Sequence, residues 1–207
     1  LLKRFIATDS PVALRVWLND KDDIGHFIIV RGYDDSTQQV FFDDSYYGPN
    51  RSISYQTLLS RWQPFNYEYL VLTKDTQQIE TILGDQADLQ TAWQNSILRN
   101  QVDQSTYSLF NLSVSSYEVG DYQKSVEYYE KVSSKLPRRM LWYQLQPIQA
   151  YLKLNNHKKV FELTDSILNN QNRAYSELYY IRAQSYIAQG QKQLAKEQLE
   201  LAIKYNV

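Results

Sequence analysis

The spacing of hydrophobic positions changes character near residue 75. Before it, short runs of Val, Ile, Phe and Tyr are broken by turn residues, the mark of β-strands. This pattern predicts strands over Val12–Leu18, His26–Tyr33, Gln39–Asp43 and Tyr69–Thr73, with Asp34, Asp35 and Ser36 forming a hairpin turn. A short helix over Tyr55–Arg61 follows Ser54, a residue type that caps helix N-termini. Beyond Lys74, proline and glycine become sparse and apolar residues fall three and four apart, which predicts amphipathic helices. The first of them, from about Gln78 to Asn100, carries Ile82, Leu89, Trp93 and Ile97 and is expected to link the two halves by packing on the helices that follow.

The helical half has an internal period. Gly120-Asp121-Tyr122, Asn155-Asn156-His157 and Gly190-Gln191-Lys192 start at 120, 155 and 190, two equal steps of 35. Five positions after each start stands a small or β-branched residue (Ser125, Val160, Ala195), and twelve after it another (Val132, Ile167, Ala202). Such residues let the second helix of a pair approach its neighbours, while Tyr117, Tyr151 and Tyr186 fill space on the first helix. Pairs of this kind bury a face only by stacking. The pattern resembles the tetratricopeptide repeat, whose period is about 34 residues. Leu109, Leu112 and Pro137 sit where that family places apolar first-helix positions and a closing proline. Ser113 replaces that family's usual glycine or alanine, and Pro147 falls inside a first helix, which is expected to kink. The resemblance implies a groove that takes a peptide or protein ligand, lined by Tyr107, Phe110, Tyr117, Trp142, Gln149, Tyr180 and Gln184. The same aromatic stripe also reads as packing between helices.

Composition narrows the function classes. With 207 residues, 43% hydrophobic and 22% charged, the chain has enough apolar material for one large or two small packed domains. A net charge of -1, from 22 basic and 23 acidic side chains, gives no field to hold a nucleic acid or an anionic membrane. No apolar run is longer than Phe27 to Val30, which is far short of the roughly 18 residues a membrane span requires. Cysteine is absent, so these residues contain no disulfide, thiolate metal site or thiol nucleophile. Leu1 opens in the middle of an apolar pattern, which leads us to expect the back part of a longer polypeptide.

Two histidines differ in setting. His157, beside Lys158 and Lys159 in a turn between helices, reads as solvated and inert. His26 opens a strand that enters the Asp34 turn, while the partner strand ends at Asp43-Asp44. A three-residue loop would pair Tyr33 with Thr37 and set His26 opposite Asp44; a two-residue loop would set it opposite Ser45. A carboxylate across from an imidazole fixes its tautomer and stabilises the imidazolium. Ser45 adjoins that carboxylate and is badly placed to act as nucleophile on the far side of the ring. Asp20, Asp22, Asp23, Asp34, Asp35, Asp43 and Asp44 form an acidic cluster without the spacing of a calcium loop, so solvated acidic turns are expected rather than a metal site.

The stretches Ser10-Pro-Val-Ala-Leu-Arg-Val-Trp-Leu18, Gly25-His-Phe-Ile-Ile-Val-Arg-Gly-Tyr-Asp34 and Val40-Phe-Phe-Asp-Asp-Ser-Tyr-Tyr-Gly48 resemble the C-terminal half of the papain-like cysteine peptidases that process bacteriocin leaders. The resemblance implies His26 as general base and Asp44 as the residue that orients it, with Ser45 in place of the family's usual proline. It also implies that the nucleophilic cysteine and the oxyanion glutamine belong to a segment upstream of these residues.

The expected fold is therefore α+β: an antiparallel papain-like sheet lobe over 1–74, an adaptor helix over 75–104 and a tetratricopeptide solenoid of three hairpins over 105–207. The expected function is peptide-bond hydrolysis by an upstream Cys with His26 and Asp44, joined to a module that binds a peptide or protein. The alternative is a non-catalytic interaction scaffold with a degenerate peptidase-like lobe; a purely structural surface protein, suggested by 18 tyrosines, is a third. The expected partners are that ligand and a Cys-bearing lobe, with no cofactor, nucleic acid or membrane span. By resemblance, including the Arg139-Met-Leu-Trp-Tyr143 stretch, a bacterial extracytoplasmic or cell-surface location is expected.

Overall fold

The computed structural model describes residues 1–20, 23–169 and 172–206, with the backbone alone at 85 and 86. A short helix α1 (Leu2–Ile6) precedes strands β1 (Val12–Trp17), β2 (Gly25–Asp34), β3 (Gln39–Asp44) and β4 (Gly48–Ser54). Helix α2 (Tyr55–Trp62), a 3-10 turn (Gln63–Phe65) and strand β5 (Tyr69–Val71) complete the lobe. The sheet is antiparallel, in the order β4-β3-β2-β1-β5. Ser54 caps α2 as expected, its hydroxyl accepting the Thr57 N–H at 3.1 Å. Strand β4 was not anticipated, because Gly48-Pro-Asn-Arg-Ser-Ile-Ser54 is polar and mostly exposed and is held by its pairing to β3.

Successive side chains of a strand point to opposite faces. Val12, Leu14 and Val16 of β1, Ile28 and Val30 of β2, and Val40 and Phe42 of β3 face one core, closed by Phe5, Leu58, Trp62 and Ile82. Two steps from Phe42 comes Asp44, and two steps before Ile28 comes His26. Alternation thus carries a carboxylate and an imidazole to the rim of the apolar face.

The expected adaptor helix is two helices. Helix α3 (Thr76–Leu83) ends at Gly84, whose φ of 52° is left-handed, and α4 (Leu89–Val102) restarts with Asp88 accepting the Thr91 N–H. The break separates their loyalties. Ile79, Ile82 and Leu83 of α3 pack into the sheet core, while on α4 the Trp93 indole N–H donates to the Ser116 hydroxyl at 3.2 Å and Ser96 meets Ser115 at 3.0 Å.

Three hairpins follow: α5 (Thr106–Glu118) with α6 (Tyr122–Val132), α8 (Gln146–Lys153) with α9 (His157–Leu168), and α10 (Ser176–Ala188) with α11 (Lys192–Lys204). The 35-residue step has a backbone cause. Gly120, Asn155 and Gly190 all adopt positive φ, and the next residue's N–H returns to the carbonyl of Ser116, Tyr151 or Tyr186, each at 2.9 Å. Ser125, Val160 and Ala195 are buried where close approach was expected. Ser113 is accommodated because its hydroxyl donates to the Ser125 carbonyl at 2.6 Å. In the second repeat the first helix is broken rather than kinked, into α7 (Met140–Tyr143) and α8, with Pro147 in the first turn of α8.

The composition boundary near residue 75 is not a boundary in packing. Trp17 and Phe65 of the sheet lobe belong to the apolar core of the repeats, together with Phe110, Met140, Ile148 and Tyr151. Polar contacts reinforce the junction: the Asn111 amide donates to the Gln63 carbonyl at 2.8 Å, and the buried Gln144 amide to the Pro64 carbonyl at 2.7 Å.

Candidate functional site

His26 and Asp44 meet. His26 Nε2 lies 2.9 Å from Asp44 Oδ1, in a cleft of about 250 Å³ walled by Trp17, Phe42, Tyr47, Arg51 and Arg61. The expected register does not produce this contact. The hairpin loop has four residues, 35–38, and Asp34 pairs with Gln39; a bulge between Val30 and Gly32 then shifts the ladder so that Asp44 stands opposite Ile28. His26 lies on the same face as Ile28, two residues away, and reaches Asp44 diagonally. Side chains of this length span the roughly 7–8 Å between diagonal neighbours.

The Asp44 side chain is 4% exposed, and burial alone would push its carboxyl up. The backbone N–H groups of Tyr47 and Tyr46, at 2.9 and 2.7 Å, together with His26, outweigh that and hold it below the usual carboxylate range. An ionised carboxylate only accepts, so Nε2 carries the proton it shares with Asp44. Nδ1 is then the basic nitrogen, and it makes no hydrogen bond among the described residues. Asp43 points to the opposite face, ion-paired with Arg31 and accepting the Asn50 N–H, so it is no substitute for Asp44.

The remaining acidic residues have protein partners. Asp20 binds Arg61 through both carboxylate oxygens, Asp23 pairs with Arg139, Asp35 with Lys3, and Asp34 caps its own turn through the Ser36 N–H and hydroxyl. Asp22 lies outside the described residues. Ser45 is exposed in the turn after Asp44.

Asp44→Asn should lower stability at neutral pH by about 1.5–3 kcal/mol, the range for hydrogen bonds to a charged group. A carboxyl whose folded pKa is depressed stabilises above its unfolded value, near 4, and that contribution disappears as pH falls through the lower folded value. The gap between parent and variant should therefore narrow below about pH 4. Urea unfolding at pH 7 and pH 3 measures both stabilities, and a gap that stays constant would contradict the ionised pairing.

The seven proposed groove residues do not form one open groove. Phe110 is fully buried in the core, which corrects its placement in the groove. Tyr107 is half-buried beside Trp17, Tyr117 packs on Tyr122, and Trp142 and Gln149 are half-buried. Tyr180, 54% exposed, and Gln184, one turn on, remain open on α10. His157 is also corrected: it is half-buried at the start of α9, with Nδ1 2.9 Å from the Ser185 hydroxyl, and ties the second repeat to the third. Sequence reasoning missed Tyr143, whose hydroxyl accepts the Gly25 N–H at 2.9 Å directly before His26. The available signal was Arg139-Met-Leu-Trp-Tyr143, an aromatic stretch caught between Pro137 and Pro147 where a first helix should run unbroken.

No described helix is long and apolar enough to cross a membrane. No curated protein matches the chain. A solved structure of a MamA RS-1 ArsTM double mutant superposes with a TM-score of 0.50 at 17% identity, covering 63% of this chain and 72% of that one, a likeness of fold. Residues 2–70 match the Peptidase_C39 like family, and residues 106–134 and 176–206 match the tetratricopeptide repeat, leaving the broken middle hairpin unmatched. The chain thus joins a lobe similar to the Peptidase_C39 like family to a module with tetratricopeptide repeats.

Proposed function

We propose that the sheet lobe supplies the histidine–carboxylate half of a thiol peptidase site, and that the repeat module binds a peptide or protein. The observation that carries this reading is the His26–Asp44 pair, with a buried, triply hydrogen-bonded carboxylate on Nε2 and the basic Nδ1 unengaged beside a cleft. None of the 207 residues is a cysteine, so the thiol comes from another segment or another chain.

The thiol gives its proton to His26 Nδ1 and the sulfur attacks the peptide carbonyl carbon, forming a C–S bond. The C–N bond breaks as the imidazolium returns that proton to the leaving amine. Water, deprotonated by the same nitrogen, then cleaves the thioester and restores the thiol. Asp44 stays ionised throughout and keeps the ring in the tautomer that leaves Nδ1 basic. Tyr180 and Gln184 on α10 are the open first-helix positions for a bound peptide, since the sheet lobe packs on the earlier repeats.

Intact mass and thiol alkylation of the native protein test the reading. The expected result is a Cys-bearing species, either a chain heavier than 24.5 kDa or a tightly bound second chain, with one rapidly alkylated thiol. A 24.5 kDa protein with no thiol and no such companion would overturn it. That outcome would favour the second reading, an interaction scaffold with a degenerate peptidase-like lobe, which the absence of cysteine from these residues supports.

A further inference from the structure

We infer that the repeat module positions His26, acting through Tyr143 of α7. The catalytic meaning of this coupling rests on the proposed function, while the coupling itself rests on geometry.

His26 stands on a thinly supported part of the sheet. Strand β2 pairs with β3 only from Ile28 onward, so among the described residues, 25–27 have β1 as their one strand neighbour. A ladder bonded on one side frays more readily than one bonded on both. The missing support comes from the repeats. The Gly25 N–H donates to the Tyr143 hydroxyl at 2.9 Å, and that hydroxyl reaches the Asp23 carbonyl at 3.5 Å. Asp23 in turn accepts the Arg139 backbone N–H at 3.1 Å and pairs with the Arg139 guanidinium. Both ends of the four-residue helix α7 therefore grip the segment that leads into His26.

Close packing sets the position of this grip. A Cβ on Gly25 would lie 2.8 Å from Tyr143 Cε1 and 3.2 Å from Phe65 Cζ, so glycine is what admits the ring. Trp17 and Phe65 hold the same ring edge-on, with centroids at 5.8 and 5.4 Å, and the Arg15 guanidinium donates to the Tyr143 carbonyl at 3.4 Å. Trp17 also walls the His26 cleft. The break in the second repeat thus has a use: it leaves a short helix whose Tyr143 side chain turns to the peptidase-like lobe. Tyr143 is accordingly a positioning residue, one step removed from the imidazole.

The chain's two histidines make the test direct. Ring signals of His26 and His157 are followed by NMR in the native protein and in Tyr143→Phe, which keeps the ring and removes the hydroxyl. The expected result is a shift of the His26 signals and exchange of the Gly25 amide faster by about tenfold, the equivalent of one ordinary hydrogen bond. His157, bonded to Ser185, should not move. Arg139→Gln, which removes the ion pair to Asp23 while leaving the backbone bond, should act in the same direction. Unchanged His26 signals and Gly25 exchange in both variants would overturn the inference, even if turnover proved to depend on His26. Shifted His26 signals in a protein without thiol-dependent turnover would uphold the coupling while the catalytic reading falls.

Discussion

Replacing His26 by alanine should reduce thiol-dependent peptide turnover by about 10²–10⁴-fold, the usual contribution of a positioned acid–base group. The effect belongs to chemistry rather than to folding. The imidazole sits at the rim of the sheet core, and without it Asp44 keeps the backbone N–H groups of Tyr46 and Tyr47, so no buried carboxylate is orphaned. Stability in urea should change by no more than about 1–2 kcal/mol, while the rate collapses. Replacing Asp44 by alanine should lower turnover less completely, because a carboxylate that orients the ring assists the base without replacing it. Parent and His26→Ala are compared at equal concentration in the native assembly, with iodoacetamide-treated protein as the zero. Turnover that survives the substitution would remove His26 from the mechanism.

The second large effect is on the fold. Phe65 lies in the 3-10 turn after α2, is 1% exposed, and meets the Trp17 ring at 4.5 Å and the Tyr143 ring at 5.4 Å. Phe65→Ala should cost about 3–5 kcal/mol, because the rigid surroundings collapse only partly into the space left behind. It should also loosen both modules, since this sheet-lobe residue belongs to the core of the repeats. Amide exchange distinguishes a shared loss from a local one. Protection should fall in β2 and in α5 and α8 together; loss confined to the sheet lobe would mean that the modules fold independently.

Much of this architecture is written in local spacing. Strands announce themselves because alternating side chains reach a core only when every second one is apolar, and Val12, Leu14 and Val16 obey that rule. The 35-residue step is visible because each hairpin needs a residue tolerant of positive φ at the same place, supplied by Gly120, Asn155 and Gly190. Strand β4 escaped because its polar residues form a strand only by pairing with β3. The break at Gly84 was overlooked within an apolar pattern that continues across it, although a glycine before an Asp88 cap can end one helix and start another.

The site divides in the same way. The sequence by itself determined the candidates: alternation along β2 places His26 with Ile28 and Val30, and alternation along β3 places Asp44 with Phe42 and Val40 and Asp43 on the other side of its strand, while register decides whether the two faces coincide. Only the tertiary structure decided how they meet, because a bulge after Val30 and a four-residue loop moved Asp44 opposite Ile28 and left the contact to a diagonal reach. The tertiary structure alone likewise brought Tyr143 to Gly25 across 118 residues of chain and placed Trp17 and Phe65 in the repeats' core. The physical reason is range. Periodicity records what each backbone segment must do with its own neighbours, whereas register and the docking of one module on another follow from the packing of surfaces distant in sequence.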